Sequence, residues 1–266
     1  MKKIFCIILT LSLLIQTATF AGSTGSEDLN KKSNGTTEKE CFEKLSRVTF
    51  AFNMALDRII FEPIAKAYRI LPSPIRTGTG NAIKNLSLLA TIPNNLLQAD
   101  IKAAGVNSLR LVLNTTIGIL GVWDPAEKLG LSEIGKEDYG QTLGAWGLGG
   151  GCYFVLPVLG PTTVRDFSGS LINILGGDPW RNITVKNNTE YVQDRHYYTS
   201  RGTDAVNFRS KNIESFDSLE RNSVDFYASV KSLYLQDRYK KIKNSDDAIV
   251  TVNEDDWEEI EPELKQ

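Results

Sequence analysis

The feature that most constrains the fold of this chain is a glycine-rich stretch from residue 138 to residue 166, DYGQTLGAWGLGGGCYFVLPVLGPTTVRD. Its seven glycines are interleaved with Leu, Trp, Tyr, Phe and Val, and its only carboxylates, Asp138 and Asp166, lie at its two ends. Such glycine density is typical of a bent backbone or of one that approaches a ligand closely. We therefore predict short helices and loops here and interpret the stretch as a bent apolar wall. The alternative is that the glycines permit tight helix packing.

Apolar residues recur at helical spacing on both sides of this stretch. The pattern predicts a helix over residues 42–70, which Pro63 kinks or restarts. A second helix begins at the Ser-Pro pair of residues 73–74, a typical helix start. Beyond the glycine-rich stretch, a further helix is predicted over Thr162 to Leu175.

The remaining segments also favour helix. Residues 88–120 continue the helical pattern, with predicted breaks at Pro93 and around Gly105. One long amphipathic helix is predicted from residue 213 to residue 234, and Arg238 is placed off its apolar face. Alternation typical of strands is almost absent, and residues 153–156 are the best strand candidate. The sequence therefore predicts a mostly α fold.

The two ends of the chain differ in character from its middle. Residues 1–21 combine Lys2 and Lys3, an apolar run and a Thr-Phe-Ala end, which together are typical of a cleaved secretory signal peptide. The alternative is a retained anchor, but the apolar run is shorter than the ~20 residues of a spanning helix. Cys6 lacks the preceding small residues of a lipid-attachment site, so no lipobox is predicted.

Composition divides the rest of the chain into three segments, and net charge argues against nucleic acid as a partner. Residues 22–40 are predicted to be a flexible leader, residues 41–243 the folded domain, and residues 244–266 an acidic disordered tail with nine acids and one base. A net charge of −2 gives no global field that would attract nucleic acid. Export permits a disulfide between Cys41 and Cys152, and two separate thiols are the alternative.

No catalytic or metal-binding set emerges from the sequence. The chain has a single histidine, His196, and contains neither a G-x-S-x-G nor a CxxC motif, so we predict no metal, no cofactor and no enzyme. Glu137 and its neighbour Asp138 are interpreted as a solvated turn rather than an acid/base pair. One alternative is a periplasmic hydrolase that uses Cys152 or Ser168 with His196. Another is a structural surface protein.

The chain resembles the VacJ/MlaA family of outer-membrane phospholipid-transport proteins over residues 41–243. The motifs LNTTIG, WDPA, DYGQTLG and LPVLGPTTVRD, in this order, carry the resemblance. The matching segments are residues 50–69, 71–86, 112–131, 138–166 and 224–242.

The resemblance implies a single ring-like helical domain embedded in the inner leaflet of the outer membrane, at its periplasmic face. It implies a central amphipathic channel through which phospholipids leave the outer leaflet for a periplasmic lipid carrier protein. It also implies association with a trimeric porin, and a role in lipid asymmetry without covalent chemistry. This chain departs from the family's lipoproteins because it lacks a lipobox. Its membrane attachment is therefore expected to rest on its apolar surface.

The resemblance and the residue pattern together give a set of candidates for the lipid path. We expect polar lining from residues 114–116, a membrane-facing or pore-facing loop at residues 120–123, and an apolar wall from residues 153–156. For each of these, plain core packing is the alternative. The full set is Phe50, Asn53, Asn114, Thr115, Thr116, Leu120, Val122, Trp123, Tyr153, Phe154, Leu156 and Arg165.

Three members of the set have their own interpretation. Phe50 and Asn53 are expected to help set the resting state of the channel. Arg165 is expected to form a structural pair with Asp166, and contact with a lipid phosphate is the alternative.

Overall fold

The computed structural model describes residues 40–243. The predicted signal peptide, nearly all of the flexible leader and the acidic tail lie outside the described residues. The helices in chain order are α1 Glu43–Leu56, α2 Glu62–Arg69, α3 Ser73–Leu97, α4 Ile101–Thr116, α5 Pro125–Lys128, α6 Tyr139–Ala145, α7 Val164–Ile172, α8 Pro179–Arg181, α9 Asp194–Lys211, α10 Ile213–Asn222 and α11 Phe226–Lys243. Further π-helical turns cover Asp57–Phe61, Asn173–Gly177 and Asn182–Lys186. The prediction of a mostly α fold is confirmed.

The predicted restart at Pro63 is also confirmed. Because Pro63 lacks an N–H, it cannot donate to the preceding helical turn. The chain widens there into the π-helical turn Asp57–Phe61, in which the N–H of Glu62 donates to the carbonyl of Asp57. Helix α2 then begins with Pro63 in its first turn.

Helices α3 and α4 form an antiparallel hairpin, and the two breaks predicted inside it are wrong. Pro93 lies within α3, and α4 passes through Gly105 without interruption. Packing of the two helices along their length outweighs one missing hydrogen bond and the ~1 kcal/mol cost of a helical glycine. Asp100 defines the start of α4, because its carboxylate accepts from the N–H of Ala103 at 2.8 Å.

A two-stranded antiparallel hairpin follows the glycine-rich turns. Strand β1, Tyr153–Leu156, confirms the strand prediction and pairs with β2, Gly160–Thr163, with Tyr153 opposite Thr163. The helix predicted from Thr162 therefore begins later, because the hydroxyl of Thr163 accepts from the N–H of Asp166 at 3.2 Å and caps α7.

A small aromatic core joins α1, β1 and α11. Phe50, Tyr153, Val155 and Tyr227 are its buried members, and the rings of Phe50 and Tyr227 meet edge to face with centroids 5.5 Å apart. A disulfide between Cys41 and Cys152 ties the start of α1 to the start of β1. The pairing that the sequence left open is therefore made.

The single helix predicted over residues 213–234 is two helices. Helix α10 ends at Asn222, and Ser223 has extended backbone angles. Asp225 then accepts from the N–H of Ala228 at 3.1 Å and pairs with Arg47 of α1 at 2.8 Å. This break directs α11 against the aromatic core. Within residues 40–243, each helix is too short or too polar to cross a membrane.

Candidate functional site

The described part of the chain has a polar interior and an apolar exterior. Its buried polar and charged side chains outnumber its buried hydrophobic ones. Many large hydrophobic side chains are exposed instead, among them Phe52, Ile59, Leu109, Val112, Ile119, Leu120, Trp123, Val158, Leu159, Leu171 and Leu175. Water-soluble proteins rarely expose apolar side chains on this scale, and such surfaces mark contact with a membrane or a partner.

Buried amide side chains hold the α3–α4 hairpin together. The side chain of Asn107 donates to that of Asn95 at 2.9 Å, and both residues are inaccessible to solvent. The hydroxyl of Thr142 on α6 donates to Asn94 at 2.7 Å. We name the buried residues Asn85, Asn94, Asn95, Asn107 and Asn114 the asparagine cluster. Because its members bond inward, the outer face of the hairpin is free to be apolar.

The asparagine cluster also fixes the turn that precedes α5. The carboxylate of Asp124 binds Arg110 at 2.5 Å and accepts from the side chain of Asn114 at 3.0 Å. Burial alone would raise the pKa of the Asp124 carboxyl. The hydrogen bonds from the Glu127 N–H, Asn114 and Arg110 outweigh burial and hold that pKa below its usual range. The turn therefore presents Trp123 outward, with 64% of its surface exposed.

The polar candidates on α4 are used within this packing. Asn114 is buried against Asp124, and the hydroxyl of Thr115 accepts from Asn85 at 2.9 Å. The hydroxyl of Thr116 donates to the carbonyl of Val112 at 2.7 Å. Asn114 is therefore interior, Thr115 is half-buried and Thr116 is exposed. That residues 114–116 line a lipid path stays a prediction.

An apolar path begins at the exposed turn. An outer groove of about 1020 Å³ runs along Pro74, Gly78, Ile117, Val122 and Trp123, and its lining also includes the charged residues Asp124, Glu127 and Lys128. An inner groove of about 590 Å³ shares Pro74, Gly78 and Val122 with it and continues past Ala82 and Ile83 to Leu86. The two grooves meet where α3 approaches the turn, because a Cβ on Gly78 would lie 2.9 Å from the Cγ1 of Val122.

The inner groove leads into a cavity of mixed charge. This cavity, about 210 Å³, shares Ile83, Leu86 and Ser200 with the inner groove. Its charged lining consists of Lys136, Glu137, Asp138, Asp178, Arg201 and Asp204. We name it the mixed-charge cavity. From the inner groove to this cavity, the lining therefore changes from uncharged to charged.

Glu137 is a buried carboxyl in this cavity. Burial raises its pKa to about 7, against the hydrogen bond that its carboxylate accepts from the side chain of Gln98 at 2.8 Å. The interpretation of residues 137–138 as a solvated turn is wrong, because Glu137 packs beneath α3 and Asp138 caps α6.

Of the remaining candidates, the loop residues are open and the core residues are not. Leu120, Val122 and Trp123 are exposed, and Phe154 and Leu156 are half-buried.

The prediction that Tyr153 faces an apolar path is corrected, because its side chain is fully enclosed in the aromatic core with Phe50. Asn53 binds the β1–β2 turn, donating to the carbonyl of Leu156 and accepting from the N–H of Val158, both at 2.8 Å.

The ends of the glycine-rich stretch are joined by a residue that the sequence analysis missed. Arg238 binds Asp138 at 2.6 Å and Asp166 at 2.7 Å, and Tyr234 donates to Asp166 at 2.6 Å. Burial would raise the pKa of Asp138, but Arg238 outweighs it and holds that pKa at about 2. Tyr234 and Arg238 are one helical turn apart and therefore lie on the same face of α11. That spacing is the one sequence feature that indicates a shared pair of buried partners.

The predicted pair of Arg165 and Asp166 is present, with Nε 3.0 Å from Oδ1. Because Arg165 is buried in this network, it does not present its guanidinium to a lipid phosphate.

The Cys152 form of the hydrolase alternative is contradicted, and the other two residues of that alternative have structural partners. Cys152 has no thiol, since it is bonded to Cys41. The Nδ1 atom of His196 accepts from the N–H of Gln193 at 3.0 Å and so caps α9. The hydroxyl of Ser168 donates to the carbonyl of Val164 at 2.8 Å. Among the described residues, no His, Cys, Asp or Glu group has the arrangement of a metal site.

Comparison with known proteins assigns the chain to one family. The MlaA lipoprotein family model matches residues 38–241, and the chain belongs to this family. It is similar to the intermembrane phospholipid transport system lipoprotein MlaA of Haemophilus influenzae, 27% identical over 237 residues that cover 88% of this chain and 90% of that protein. The protein of the same name from Escherichia coli K12 is 31% identical over 77% of this chain and 80% of its own length.

A solved structure agrees with this assignment. It was described under the words "Structural basis for maintenance of bacterial outer membrane lipid asymmetry" and superimposes with a TM-score of 0.65 at 29% identity. The match covers 77% of this chain and the whole of that chain.

Proposed function

We propose that this protein is the outer-membrane component of an intermembrane phospholipid transport system. It accepts phospholipids from the outer leaflet and passes them to a periplasmic carrier, and so maintains the lipid asymmetry of the membrane. The names of the Haemophilus and Escherichia relatives support this assignment. A role in transport requires no covalent chemistry, so the protein is proposed not to be an enzyme.

The observation that carries the proposal is the order of the grooves. A phospholipid has two acyl chains and one polar headgroup, and a path for it needs apolar walls that end in a polar site. The outer and inner grooves supply apolar walls, and the mixed-charge cavity shares Ile83, Leu86 and Ser200 with the inner groove.

The apolar exterior supports a position in one leaflet. Exposed side chains such as Leu109, Val112 and Leu120 are suited to contact with acyl chains. The helices that carry them lie in the interface rather than span it, which is the behaviour of monotopic membrane proteins. We propose that the protein lies in the inner leaflet of the outer membrane. A trimeric porin is proposed as its lateral partner, and a soluble lipid carrier as its partner on the periplasmic side.

Deletion of the gene tests the function in cells. We expect phospholipid to accumulate in the outer leaflet, measured by chemical labelling of surface aminophospholipids, and the wild-type gene to reverse the accumulation. Unchanged surface lipid in the deletion strain, with a positive control for labelling, would count against the proposal.

A matched pair of glycine variants tests the path itself. Gly78→Leu inserts a side chain between the grooves, where even a Cβ is 2.9 Å from Val122, so it should not restore asymmetry. Gly105→Leu also places leucine in the hairpin, but a Cβ there meets nothing within 4 Å. It should restore asymmetry fully. Both variants should accumulate to wild-type levels by immunoblot, and full rescue by Gly78→Leu would exclude this path.

A further inference from the structure

The mixed-charge cavity is the polar end of the proposed path, and its charges are arranged in pairs. Lys136 Nζ lies 3.3 Å from Asp204 Oδ2, and both side chains are partly exposed. Arg201 Nη2 lies 2.6 Å from Asp178 Oδ2. Each cation therefore has a carboxylate beside it and still presents part of its surface to the cavity.

The two carboxylates differ in how far they are committed to the fold. Asp178 is buried, accepts from the N–H groups of Trp180 and Arg181 and so caps α8. Asp204 lies on α9 with about a third of its side chain exposed, and among the described residues its side chain pairs only with Lys136. Of these two carboxylates, Asp204 is therefore the one that a ligand can bind without breaking a helix cap.

Acidic groups exceed basic ones around the cavity. Four carboxylates and two cations line it. Arg238 neutralises Asp138 from outside the cavity, which leaves Glu137, Asp178 and Asp204 against Lys136 and Arg201. A ligand with net negative charge adds to this excess, whereas a zwitterion offers an anion to the cations and a cation to the carboxylates.

We propose that the mixed-charge cavity binds the headgroup of a zwitterionic phospholipid that carries a primary ammonium group. Its phosphate binds Lys136 and Arg201, and its ammonium group binds Asp204. The inference rests on the proposed function, because it takes the two grooves as the sites of the acyl chains. It adds a preference for the neutral zwitterion over an anionic glycerol headgroup.

The environment of Glu137 agrees with this preference. Its pKa is raised first by burial and then by the neighbouring charge of Asp138, so the site already resists additional negative charge. Trp180 lies in the same lining, and its indole N–H donates to Ser200 at 3.1 Å. An aromatic ring in the lining adds a surface that attracts ammonium groups.

Competition between two lipids tests the preference. The purified full chain in mild detergent is incubated with vesicles of equal phosphatidylethanolamine and phosphatidylglycerol content, re-isolated, and its bound lipid is quantified by mass spectrometry. The wild-type protein should carry phosphatidylethanolamine in several-fold excess. Asp204→Lys, which reverses the charge that faces the ammonium group, should shift the bound ratio toward phosphatidylglycerol by about tenfold.

Two control variants separate the cavity from general charge effects. Lys136→Gln combined with Arg201→Gln should lower total bound lipid by about tenfold, since two charge-assisted phosphate contacts are lost. Lys66→Gln removes a cation that pairs with Glu62 on α2, outside the cavity lining, and should leave binding unchanged. Glu43→Lys on α1 is the matched control for Asp204→Lys. Circular dichroism verifies that each variant is folded.

The outcomes distinguish this inference from the proposed function. Bound lipid in the vesicle ratio, or a ratio that Asp204→Lys leaves unchanged, overturns the headgroup preference while lipid binding still supports transport. A wild-type protein that carries no lipid, together with unchanged surface lipid in the deletion strain, overturns both.

Discussion

The α3–α4 hairpin and the aromatic core distribute their side chains in opposite ways. In the hairpin, Asn107 is buried and Leu109, two positions later on α4, is exposed. In the aromatic core, Phe50 and Tyr227 are buried, while the surface formed by α1, α2, α10 and α11 carries ion pairs such as Arg47–Asp225 and Lys66–Glu62. One region has a polar interior and the other an apolar interior, although α1 and α2 also expose hydrophobic side chains such as Phe52 and Ile64.

The difference shows which solvent each region is built for. Against acyl chains, a leucine gains nothing by burial between helices, so helices there associate through hydrogen bonds and close packing. Against water, apolar burial is the dominant stabilising effect. Under the proposed function, the outer face of the hairpin therefore contacts acyl chains, whereas the aromatic core is held together mainly by apolar burial.

Loss of Arg238 should produce the largest effect, and the effect should fall on the region around the aromatic core. Arg238→Ala leaves the buried Asp166 without its main counter-charge, and removal of one partner of a buried pair destabilises by about 3–5 kcal/mol. Thermal unfolding in detergent measures the change. Arg58→Ala, which removes a surface pair with Glu220, is the control and should cost less than about 1 kcal/mol. Equal effects of the two variants would show that the Arg238 network contributes no special stability.

Removal of the disulfide should rank second. Cys41→Ser combined with Cys152→Ser opens a loop with a sequence separation of 111 residues, and the free energy of unfolding should fall by about 2–4 kcal/mol. Hydrogen exchange resolved by residue should show faster exchange in α1 and β1, with the α3–α4 hairpin unchanged. Uniform acceleration across both regions would mean that they do not unfold separately.

Two substitutions on α4, one that places leucine at a buried asparagine and one that places asparagine at an exposed leucine, test the polar interior of the hairpin directly. Asn107→Leu deprives Asn95 of its donor, and an unmade buried hydrogen bond costs about 1–3 kcal/mol of unfolding free energy. Leu109→Asn should leave stability in detergent nearly unchanged but weaken partition into vesicles by about tenfold. In a protein with an ordinary apolar interior, Asn107→Leu would stabilise and Leu109→Asn would affect solubility alone.

The pH dependence contributed by Glu137 should be no larger than the effect of Asn107→Leu. Its pKa is raised from 4.5 to about 7, so the folded state binds the proton more tightly than the unfolded state. Its contribution, about 1–3 kcal/mol, is fully present below pH about 4.5 and is lost as the pH rises through about 7. Denaturant unfolding at pH 5 and pH 8 should show this loss in the wild-type protein and not in Glu137→Gln. Glu133→Gln, an exposed carboxyl on the same loop, should behave as wild type.

Glycines of the glycine-rich stretch serve two different structural roles. Gly140 serves helix packing, because a Cβ there would lie 2.6 Å from the Asp166 carboxylate, where α6 meets α7. Gly160 instead has a φ of +81° and open space around it, as the tight β1–β2 turn requires. The sequence predicted an irregular backbone correctly, but it did not distinguish the two reasons.

The sequence by itself determined the helical character, the strand at residues 153–156, and the motifs that assign the family. These depend on local periodicity and turn chemistry, which each segment carries alone. It also predicted the exposed loop of Leu120, Val122 and Trp123, since Asp124 followed by Pro125 is a local turn signal.

The tertiary structure decided which polar residues are interior. Asn114 has the same local pattern whether it lines a path or binds Asp124, and Arg238 has the same helical position whether it faces water or two aspartates. Periodicity identifies a face of a helix but not what that face meets. In a protein with an apolar exterior, the usual rule that apolar residues are buried also fails. Which polar side chains are buried is therefore decided only when α3, α4, α6 and α11 pack together.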